Sequence, residues 1–572
     1  MVCALWQHFT SADAFARAPA WFLNLSERLG SVVYADPQLA LRIRLSRLAV
    51  LITAAALLAV GIIERRWVGT ALRELFLTKT HPLNLAIFRM VVGWQVYEVG
   101  RWPFGDIAAF PTALQYPPET GIPRWGALAA FAHWPPHTAP PWVIAWCVKI
   151  MIYAGFAGMA GLFSRTSMAL AGVMMLFGMG RLQWYGKVDH YHHVLWFTLL
   201  LAASPCGDAL SIDALRAAWK RARNGQTEPP GPAQRYQVPL AFAMLLIALI
   251  YLFPGLWKIC RSGLDWALSD SPKYLMYQVW FSIGGFLPKL RYDQHPLLYK
   301  AGALAGLLFE LSFVFLVLDK RLRYVGAALG VLFHTLTEIT LTISFDSLRA
   351  CYVVFVNWHA LLQKLAAFLF PKKRIVSYDP SDLPRVRWIA LLRTFDVFGR
   401  IDWRPVHGRA SATPARTVSP SGKPLFVLGS FMLAAVIWTG AFRMMDGWPF
   451  ACYPPFDGIA DATYRTMTIT LLEEDGSTRV LLPDDYRRLF GNRWNTLMQR
   501  ILDDHDPAIQ NQHLKLIFSI LAAREPLLQH ARLVQFGTVS SSVEPSRWNV
   551  PPGNYQLVLQ VPLHDLLARP AS

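Results

Sequence analysis

The sequence predicts a mainly α-helical protein, a membrane bundle of about nine or ten transmembrane helices followed by a small C-terminal α+β domain outside the bilayer. Of the 572 residues, 54% are hydrophobic and only 16% are charged, whereas soluble proteins carry about 25% charged residues. Several apolar runs reach the roughly 18 residues needed to cross a hydrocarbon core of about 30 Å. Beyond the last run, apolar and polar residues alternate as they do in β-strands.

The charge and cysteine content exclude several classes of function. The net charge of +18 would suit a nucleic-acid-binding protein, but the excess lies in short loops between apolar runs, where it orients a membrane protein. We therefore expect the lipid bilayer, and no nucleic acid, as a partner. The six cysteines form no CxxC pair and no zinc spacing, and no nucleotide-binding glycine motif or zinc-protease motif is present.

The apolar runs set the positions of the membrane helices. Residues 1–46 precede them, and a stretch near 21–29 has the amphipathic pattern of a helix that lies on the membrane surface. The first clear run starts near Leu48, which is too late for a cleavable signal peptide. The predicted membrane helices are 47–63, 83–101, 142–163, 167–183, 190–206, 237–258, 297–318, 323–342, 352–370 and 423–441.

Basic residues indicate the orientation of the chain. They cluster in four segments between the predicted helices, at 64–82, 207–236, 319–323 and 371–422. If the helices alternate in direction, all four segments lie on one side, which the positive-inside rule makes cytoplasmic. The tail at 442–572 then faces outward from the cell (inner) membrane. The side of the N-terminus stays open, because the same alternation would place the basic residues of the N-terminal segment outside.

Segment 371–422 has a pattern of its own. It predicts a strand at Arg374–Tyr378, a helix at 383–398 and a second strand at 400–405. Its Tyr378-Asp379 resembles the start of a small thioredoxin-like domain, but the two cysteines of that domain's motif are absent. A basic cytoplasmic connector is therefore the favoured interpretation over a degenerate redox module.

The tail predicts a small α+β domain. Alternating residues indicate a hairpin with strands at 463–472 and 478–482, joined across Asp475 and Gly476. Helices are predicted at 483–502 and 508–523, and further strands at 533–538 and 555–561. The tail contains no catalytic constellation, so a binding or packing module is the expected role.

Ionisable residues at membrane depth are rare and usually face the protein interior. Residues 189–193 hold Asp189 and three histidines, which could bind a metal, move protons, orient a substrate oxygen or simply be solvated at the interface. No further ligand follows at helical spacing, so we expect no metal. His334 and Glu338 are spaced i,i+4 and can share a hydrogen bond, whereas Glu310 has no evident partner. Structural pairing and a proton path both remain open for these residues.

Lys258 ends the apolar run that begins near Val238, after Pro254 and Gly255 and before a turn that leads to Asp265. A lysine at a helix end often extends to the lipid headgroups. If the amine is buried instead, desolvation lowers its pKa and it can act as a base. The loop charges place Lys258 at the same membrane face as the histidine segment, and the turn is expected to fold back over the helix end.

Several of these stretches resemble, in order and at similar spacing, motifs of the vitamin K-dependent gamma-carboxylase family. In bacteria, the membrane portion of this family is also called the horizontally transferred transmembrane (HTTM) domain. The resemblance covers about 80–370 and assigns 47–370 to such a domain. The matching stretches are Asn84-Leu85-Ala86-Ile87-Phe88-Arg89, Asp189-His190, Ser211-Ile212-Asp213, Gly255-Leu256-Trp257-Lys258-Ile259 with Asp265-Trp266, and Phe333-His334.

The resemblance implies a chemistry and a set of residues. It implies that Lys258 is the base that deprotonates a reduced vitamin K-type quinone and that His190 either stabilises an oxyanion or orients the quinone. His193, Trp257, Asp265 and His334 are then expected to contact this cofactor. O2 and CO2 would be co-substrates, and a glutamate in a protein or peptide would be carboxylated. The sequence departs from the family pattern at two positions near these residues. Trp257 replaces a lysine of the family, and Asp189 replaces an asparagine.

Three functions are in competition at this point. The first is a gamma-carboxylase-like or quinol epoxidase-like membrane enzyme, with Lys258 as its base. The second is a non-enzymatic scaffold, or a lipid-binding or partner-binding protein, that acts through its C-terminal domain. A transporter is disfavoured because the sequence shows no inverted repeat.

Overall fold

A computed structural model of the protein describes residues 65–101, 141–182, 191–282, 285–406, 422–445, 447–452, 456–481, 498, 501, 506–524, 531–548 and 553–563. The described part is mainly helical, with strands in the connector after the main bundle and in the C-terminal region. The predicted helix 47–63 lies outside the described residues. Each of the other predicted membrane runs contains a helix.

The helices are numbered here in chain order. They are α1 (Arg65–Leu77), α2 (Pro82–Arg101), α3 (Pro141–Ala160), α4 (Ser164–Leu182), α5 (His192–Ala202), α6 (Ile212–Ala222), α7 (Gln234–Ser262), α8 (Asp265–Leu268), α9 (Ser271–Ser282), α10 (Pro296–Leu318), α11 (Leu322–Leu341), α12 (Asp346–Ala350), α13 (Trp358–Leu369), α14 (Leu383–Phe395), α15 (Lys423–Ala441) and α16 (Pro507–Arg524). Short 3-10 helices lie at Tyr292–Gln294, Cys351–Phe355 and Pro545–Arg547.

Five helices are long and apolar enough to cross a membrane, namely α3, α7, α10, α11 and α15. A sixth span would combine Asp346–Phe355 with α13, which are bent by 74° relative to each other. The chain is therefore a multi-pass membrane protein, but its described residues hold fewer candidate spans than the nine or ten predicted. The reason is that α5 has only 11 residues, and that α2 and α4 carry charged residues such as Arg89 and Arg165 within their length.

The long helix α7 forms the centre of the bundle. In its apolar window, 72% of the residues are buried, against 17% in α11, so α7 is the core helix and α11 a peripheral one. It packs against α1, α10 and α15. Burying this much apolar surface against neighbouring helices holds the two halves of the membrane part together, because it joins elements that are far apart in sequence.

The buried arginine Arg89 anchors α2 to the loop before α6. Its side chain is fully buried. A guanidinium carries five N–H donors and needs acceptors when it is buried. Its Nη1 and Nη2 atoms donate hydrogen bonds to the carbonyl oxygens of Met159, Cys206, Ala209 and Leu210.

The Ser-x-Asp motif at 211–213 caps two helices. Ser211 Oγ accepts a hydrogen bond from Ala214 N at 2.8 Å and caps α6. Asp213 accepts from the backbone N–H groups of Phe163 at 3.0 Å and Ser164 at 2.6 Å, and so caps α4. Gly161, at φ +72°, allows this approach, since a Cβ there would lie 2.1 Å from Ser211 Cβ. The motif is therefore structural.

Asp213→Ala is expected to destabilise the protein by about 1–2 kcal/mol, the cost of losing an N-cap. Thermal unfolding in detergent or nanodiscs measures this cost. Asp213→Asn is the matched control and is expected to lose less stability than Asp213→Ala, because asparagine is also a good N-cap. Equal losses in the two variants would contradict the capping role.

The connector folds as the predicted strand, helix and strand. Strand β1 (Arg374–Tyr378) pairs in parallel with β2 (Ile401–Pro405), in a register that joins Arg374 to Ile401. Helix α14 connects the strands and packs on α6. Val386, Ile389 and Ala390 form a small buried cluster with α6, which ties the connector to the bundle.

The C-terminal region forms a four-stranded antiparallel sheet in the order β4-β3-β5-β6. Its strands are β3 (Thr463–Glu473), β4 (Thr478–Val480), β5 (Ala531–Ser542) and β6 (Gly553–Pro562). The predicted hairpin and the helix predicted at 508–523 are confirmed, whereas most of the predicted helix 483–502 lies outside the described residues. Buried residues of the sheet share one hydrophobic core with α3 and α4. The sheet is therefore docked on the membrane helices.

Candidate functional site

The chain turns back on itself directly after α7, as the sequence predicted. The helix continues past Lys258 and ends at Ser262, because Gly263 adopts φ +62° and breaks it. Helix α8 follows at once and returns Trp266 to the helix end. The Lys258 Nζ atom lies 4.5 Å from the centroid of the Trp266 ring, within the range of a cation–π interaction.

Lys258 forms a buried ion pair with Glu310 of α10. The Nζ atom lies 2.6 Å from Glu310 Oε1 and 2.8 Å from Oε2, and the two side chains are only 7% and 6% exposed. Gly255 lets the helices come this close, since a Cβ there would lie 3.0 Å from Glu310 Cβ. This corrects two expectations. Glu310 does have a partner, and Lys258 is an amine held by a carboxylate rather than an isolated one.

A cavity of about 870 Å³ lies beside the ion pair. Lys258 and Glu310 both line it, and so do His193 and His334. The structure thus brings three of the predicted site residues to one cavity. The rest of the lining is largely apolar and aromatic, and includes Trp196, Phe253, Trp266, Phe309, Phe333 and Phe345.

Two other predicted site residues, Trp257 and Asp265, are not among the described residues that line the cavity. Trp257 points elsewhere because successive helical residues are about 100° apart, and its Nε1 atom donates to the Gly440 carbonyl of α15 at 2.7 Å. Trp257 thus serves the interface of α7 and α15, and its contact with a cofactor stays a prediction. Asp265 is buried at the start of α8 but is not among the described residues that line the cavity. His190 lies outside the described residues.

His334 belongs to a buried hydrogen-bonded network on the cavity wall. Its Nε2 atom is hydrogen-bonded to the Tyr251 hydroxyl, which lies 2.6 Å from the Tyr352 hydroxyl. His334 and Glu338 do not use the hydrogen bond that their i,i+4 spacing allows. Glu338 instead accepts a hydrogen bond from Arg349 Nη1 at 2.8 Å, because the half-exposed carboxylate faces α12 rather than the bundle interior.

The start of α5 supplies the histidine side of the cavity. His192 and His193 are both buried and line it. The His192 ring lies 4.7 Å from the Trp196 ring, and the His193 ring 6.0 Å from the Phe197 ring. Among the described residues, no cluster of three histidine, cysteine, aspartate or glutamate side chains could hold a metal ion. These imidazoles can therefore serve as hydrogen-bonding groups in an aromatic wall.

A segment that follows α15 covers the cavity near Lys258. This cover segment, residues 447–452 and 456–457, contributes Phe450, Ala451, Cys452 and Phe456 to the lining. Trp266 Nε1 donates to the Phe456 carbonyl at 2.5 Å, and Ser262 Oγ to the Asp457 carbonyl at 2.5 Å. The cover segment is thus fixed to the same turn that places Trp266 over Lys258.

The opposite side of the cavity opens between α10 and α11. Leu308 of α10 and Leu332 of α11 line the cavity and are still 58% and 52% exposed. Gly302 borders the gap, and a Cβ there would meet no atom within 4 Å. Because both helices are candidate membrane spans, this side opening faces lipid.

The segment between α9 and α10, whose Tyr292 lines the cavity, carries a separate buried carboxylate, Asp293. It accepts hydrogen bonds from Arg291 Nε at 2.9 Å and from the Tyr277 hydroxyl at 2.8 Å. Burial alone would raise the pKa of Asp293, but these hydrogen bonds outweigh it and hold the pKa below its ordinary value. The carboxylate therefore stays charged and fixes the chain between α9 and α10.

The family model of the HTTM domain matches residues 123–358. The chain contains an HTTM domain. This domain also occurs in vitamin K-dependent gamma-carboxylase, so the resemblance is confirmed over residues 123–358, whereas the motif at 84–89 lies before the match. No curated protein and no solved structure matches the chain significantly.

The HTTM match covers most of the cavity but not all of it. Lys258, Glu310, His193 and His334 lie within the matched residues. The cover segment and the C-terminal sheet follow the HTTM domain in the chain. The enclosure of the ion pair is therefore shared between the matched residues and a region that follows them in the chain.

Sequence reasoning missed the contribution of Glu310, of Tyr251 and of the cover segment to the cavity. The burial of Lys258 and Glu310 in apolar helices indicates that each charge needs a partner, but their spacing could not show that they pair with each other. Tyr251 lies seven residues before Lys258 on the same helix face, which is a spacing of two turns. No local pattern could have indicated the cover segment, because its contacts with α7 and α8 span more than 180 residues of sequence.

Proposed function

We propose that this HTTM-domain membrane protein is an enzyme that oxidises a reduced, lipid-soluble quinone with O2 at the Lys258–Glu310 pair. The observation that carries the proposal is a buried acid–base pair in the wall of an apolar cavity that opens to lipid between α10 and α11. From the loop charges, we place this end of the cavity at the outer face of the cell (inner) membrane.

The lining suits the aromatic ring of a quinol. Phe309, Phe333 and Trp266 provide flat apolar surface, and aromatic rings pack well against one another. The His334 Nδ1 atom is buried and has no hydrogen-bond partner among the described residues. It can therefore bond a ring hydroxyl or carbonyl at the end of the cavity away from Lys258.

The ion pair can take a proton from a quinol without creating an unpaired charge. If Glu310 accepts the proton, the Lys258 ammonium pairs with the new phenolate. If the proton of the pair first moves to Glu310, the neutral Lys258 amine accepts the quinol proton instead. Both routes end with an ammonium, a neutral carboxylic acid and a phenolate, so the second route keeps Lys258 as the base. In a cavity shielded from water, these electrostatic contacts are strengthened.

The overall oxidation converts one quinol and one O2 into one quinone epoxide and one water, since both quinol hydrogens leave with one oxygen atom. The test uses the full chain in nanodiscs with a reduced vitamin K-type quinone and air, and measures the epoxide by mass spectrometry. Anaerobic samples are the control. No epoxide above the protein-free rate would refute the proposal. The same assay with labelled CO2 and a glutamate-containing peptide decides whether carboxylation is coupled.

A second candidate is a binding protein that holds a lipid-soluble molecule without converting it. The observation in its favour is that the carboxylate and the Trp266 ring already satisfy Lys258. A satisfied buried pair can be purely structural. Saturable quinone binding without epoxide formation would support this candidate, which corresponds to the lipid-binding alternative drawn from the sequence.

The side opening predicts a dependence on tail length. Gly302→Phe is expected to fill the opening and raise the KM for a long-tailed quinol about tenfold, roughly the loss of two buried methylene groups. The KM for a tailless quinol should stay unchanged. Gly69→Phe is the matched control, since Gly69 on α1 also has no atom within 4 Å of a built Cβ and does not line the cavity. Equal effects on both quinols would exclude the side opening as the tail site.

A further inference from the structure

Helix α14 of the connector has large apolar residues on the face that the protein leaves uncovered. Trp388, Leu392 and Phe395 are 64%, 55% and 50% exposed. They follow the i, i+4, i+7 spacing and so form one stripe along the helix. The opposite face is also apolar, but it is buried against α6. A helix that is apolar on both faces needs a second apolar surface to cover the face that the protein leaves exposed.

The exposed stripe lies next to a membrane segment. Gln363 of α13 contacts the turn at Gly399, where a built Cβ would be 2.9 Å from the Gln363 Nε2 atom. Arg400 Nη2 donates to the Pro371 carbonyl at 2.5 Å and also to the Phe370 carbonyl. The connector is therefore held against the end of α13, which belongs to the bent candidate span.

The end of α13 is itself exposed and apolar. Phe368 and Phe370 are 84% and 64% exposed, and Phe398, just after α14, is 49% exposed. Arg400 holds the connector beside these residues. The exposed apolar residues of the connector thus lie close to those at the end of a candidate span.

Positive charge surrounds this apolar face. Residues 371–405 contain eight basic and four acidic side chains, a net charge of +4. Lys372, Lys373 and Arg374 are exposed at the start of β1. An apolar stripe with aromatic residues and flanking lysines and arginines is typical of helices that lie in the membrane interface and attract anionic headgroups.

We propose that the connector lies in the membrane interface, with Trp388, Leu392 and Phe395 among the lipid chains and with anionic phospholipid bound by the adjacent basic residues. The partner is the leaflet next to the end of α13, and the binding is independent of any reaction in the cavity. The connector would then anchor α13 and α6 to one membrane surface, since α14 contacts α6 on its other face.

The first arm of the test places a fluorophore on the stripe. The full chain with Leu392→Cys is labelled with NBD, an environment-sensitive dye, and reconstituted in nanodiscs of phosphatidylcholine and phosphatidylglycerol. We expect blue-shifted emission that lipids brominated in the acyl chain quench. Asn224→Cys, exposed after α6, is the matched control and should show water-like emission without quenching, and the labelled wild type gives the background of the native cysteines.

The second arm tests headgroup selectivity. Bromine is placed either on phosphatidylglycerol or on phosphatidylcholine in the same mixture, and quenching should be stronger when phosphatidylglycerol carries it. Replacing Lys372, Lys373 and Arg374 together with glutamine should remove this preference, since each basic residue near an anionic membrane surface strengthens binding to that surface about fivefold.

Three results would overturn the proposal. Water-like emission at position 392 in every lipid would show that the stripe does not enter the membrane. Blue-shifted emission that lipid-borne bromine does not quench would show that a second copy or another protein covers the stripe. Equal quenching from both brominated lipids would show that the connector does not bind the anionic lipid in preference to the neutral one.

Discussion

Lys258→Met alone is expected to lower the free energy of unfolding by about 3–5 kcal/mol, the typical cost of breaking a buried ion pair. The reason is that the variant leaves the Glu310 carboxylate buried beside an apolar side chain. Both partners are almost completely excluded from solvent, so water cannot replace the lost contact. Glu310→Met alone is expected to have a cost of similar size, because it leaves the ammonium unpaired.

The double variant Lys258→Met with Glu310→Met is expected to recover most of that stability, since replacing both charges by apolar groups leaves no unpaired charge. Unfolding of the four proteins in detergent, followed by circular dichroism, completes the double-mutant cycle. Additive losses would show that the two side chains do not interact, and would contradict the geometry of the pair.

Exchanging the two charges is expected to separate stability from catalysis. Lys258→Glu with Glu310→Lys keeps an ion pair between α7 and α10, so the protein should remain folded. The ammonium then projects from the other helix, and Trp266 no longer faces a cation. We expect epoxide formation to fall by about 100- to 10,000-fold, the range over which positioned acid–base groups act.

Two measurements make the exchange decisive. Quinone binding, followed by quenching of tryptophan fluorescence, should stay within a few-fold of wild type if the cavity persists. Trp257→Phe is the control for a nearby change outside the cavity, since that side chain faces α15, and it should retain epoxide formation. Wild-type epoxide formation by the exchanged variant would rule out a catalytic role for the pair and leave it as a structural contact.

Local sequence patterns were sufficient to predict a structural feature wherever the physical cause of that feature lies within one segment of the chain. The apolar runs predicted the helices around Lys258, because backbone groups in a membrane must bond within their own segment. The C-terminal hairpin followed from alternation and from the Asp475-Gly476 turn. The return of the chain after α7 followed from Gly263, which takes a conformation that other residues disfavour.

The hydrogen-bond partner of a side chain was not predictable where the partner comes from a segment that is distant in sequence. Glu338 lies at ideal spacing from His334, yet the structure pairs it with Arg349 and gives His334 to Tyr251. Spacing defines which side chains share a helix face, but it does not decide which neighbouring helix covers that face. The same reason explains Trp257, which was grouped with Lys258 by sequence and lies on another side of α7.

The sequence by itself determined that this is a multi-pass membrane protein with an HTTM-type motif order and ionisable residues at membrane depth, since hydropathy and motif spacing are properties of the chain alone. Only the tertiary structure decided that Lys258 meets Glu310, that His193 and His334 share their cavity, and that a segment beyond the HTTM domain covers it. Those contacts depend on how helices pack, and packing is fixed by the summed burial of many side chains rather than by any one segment.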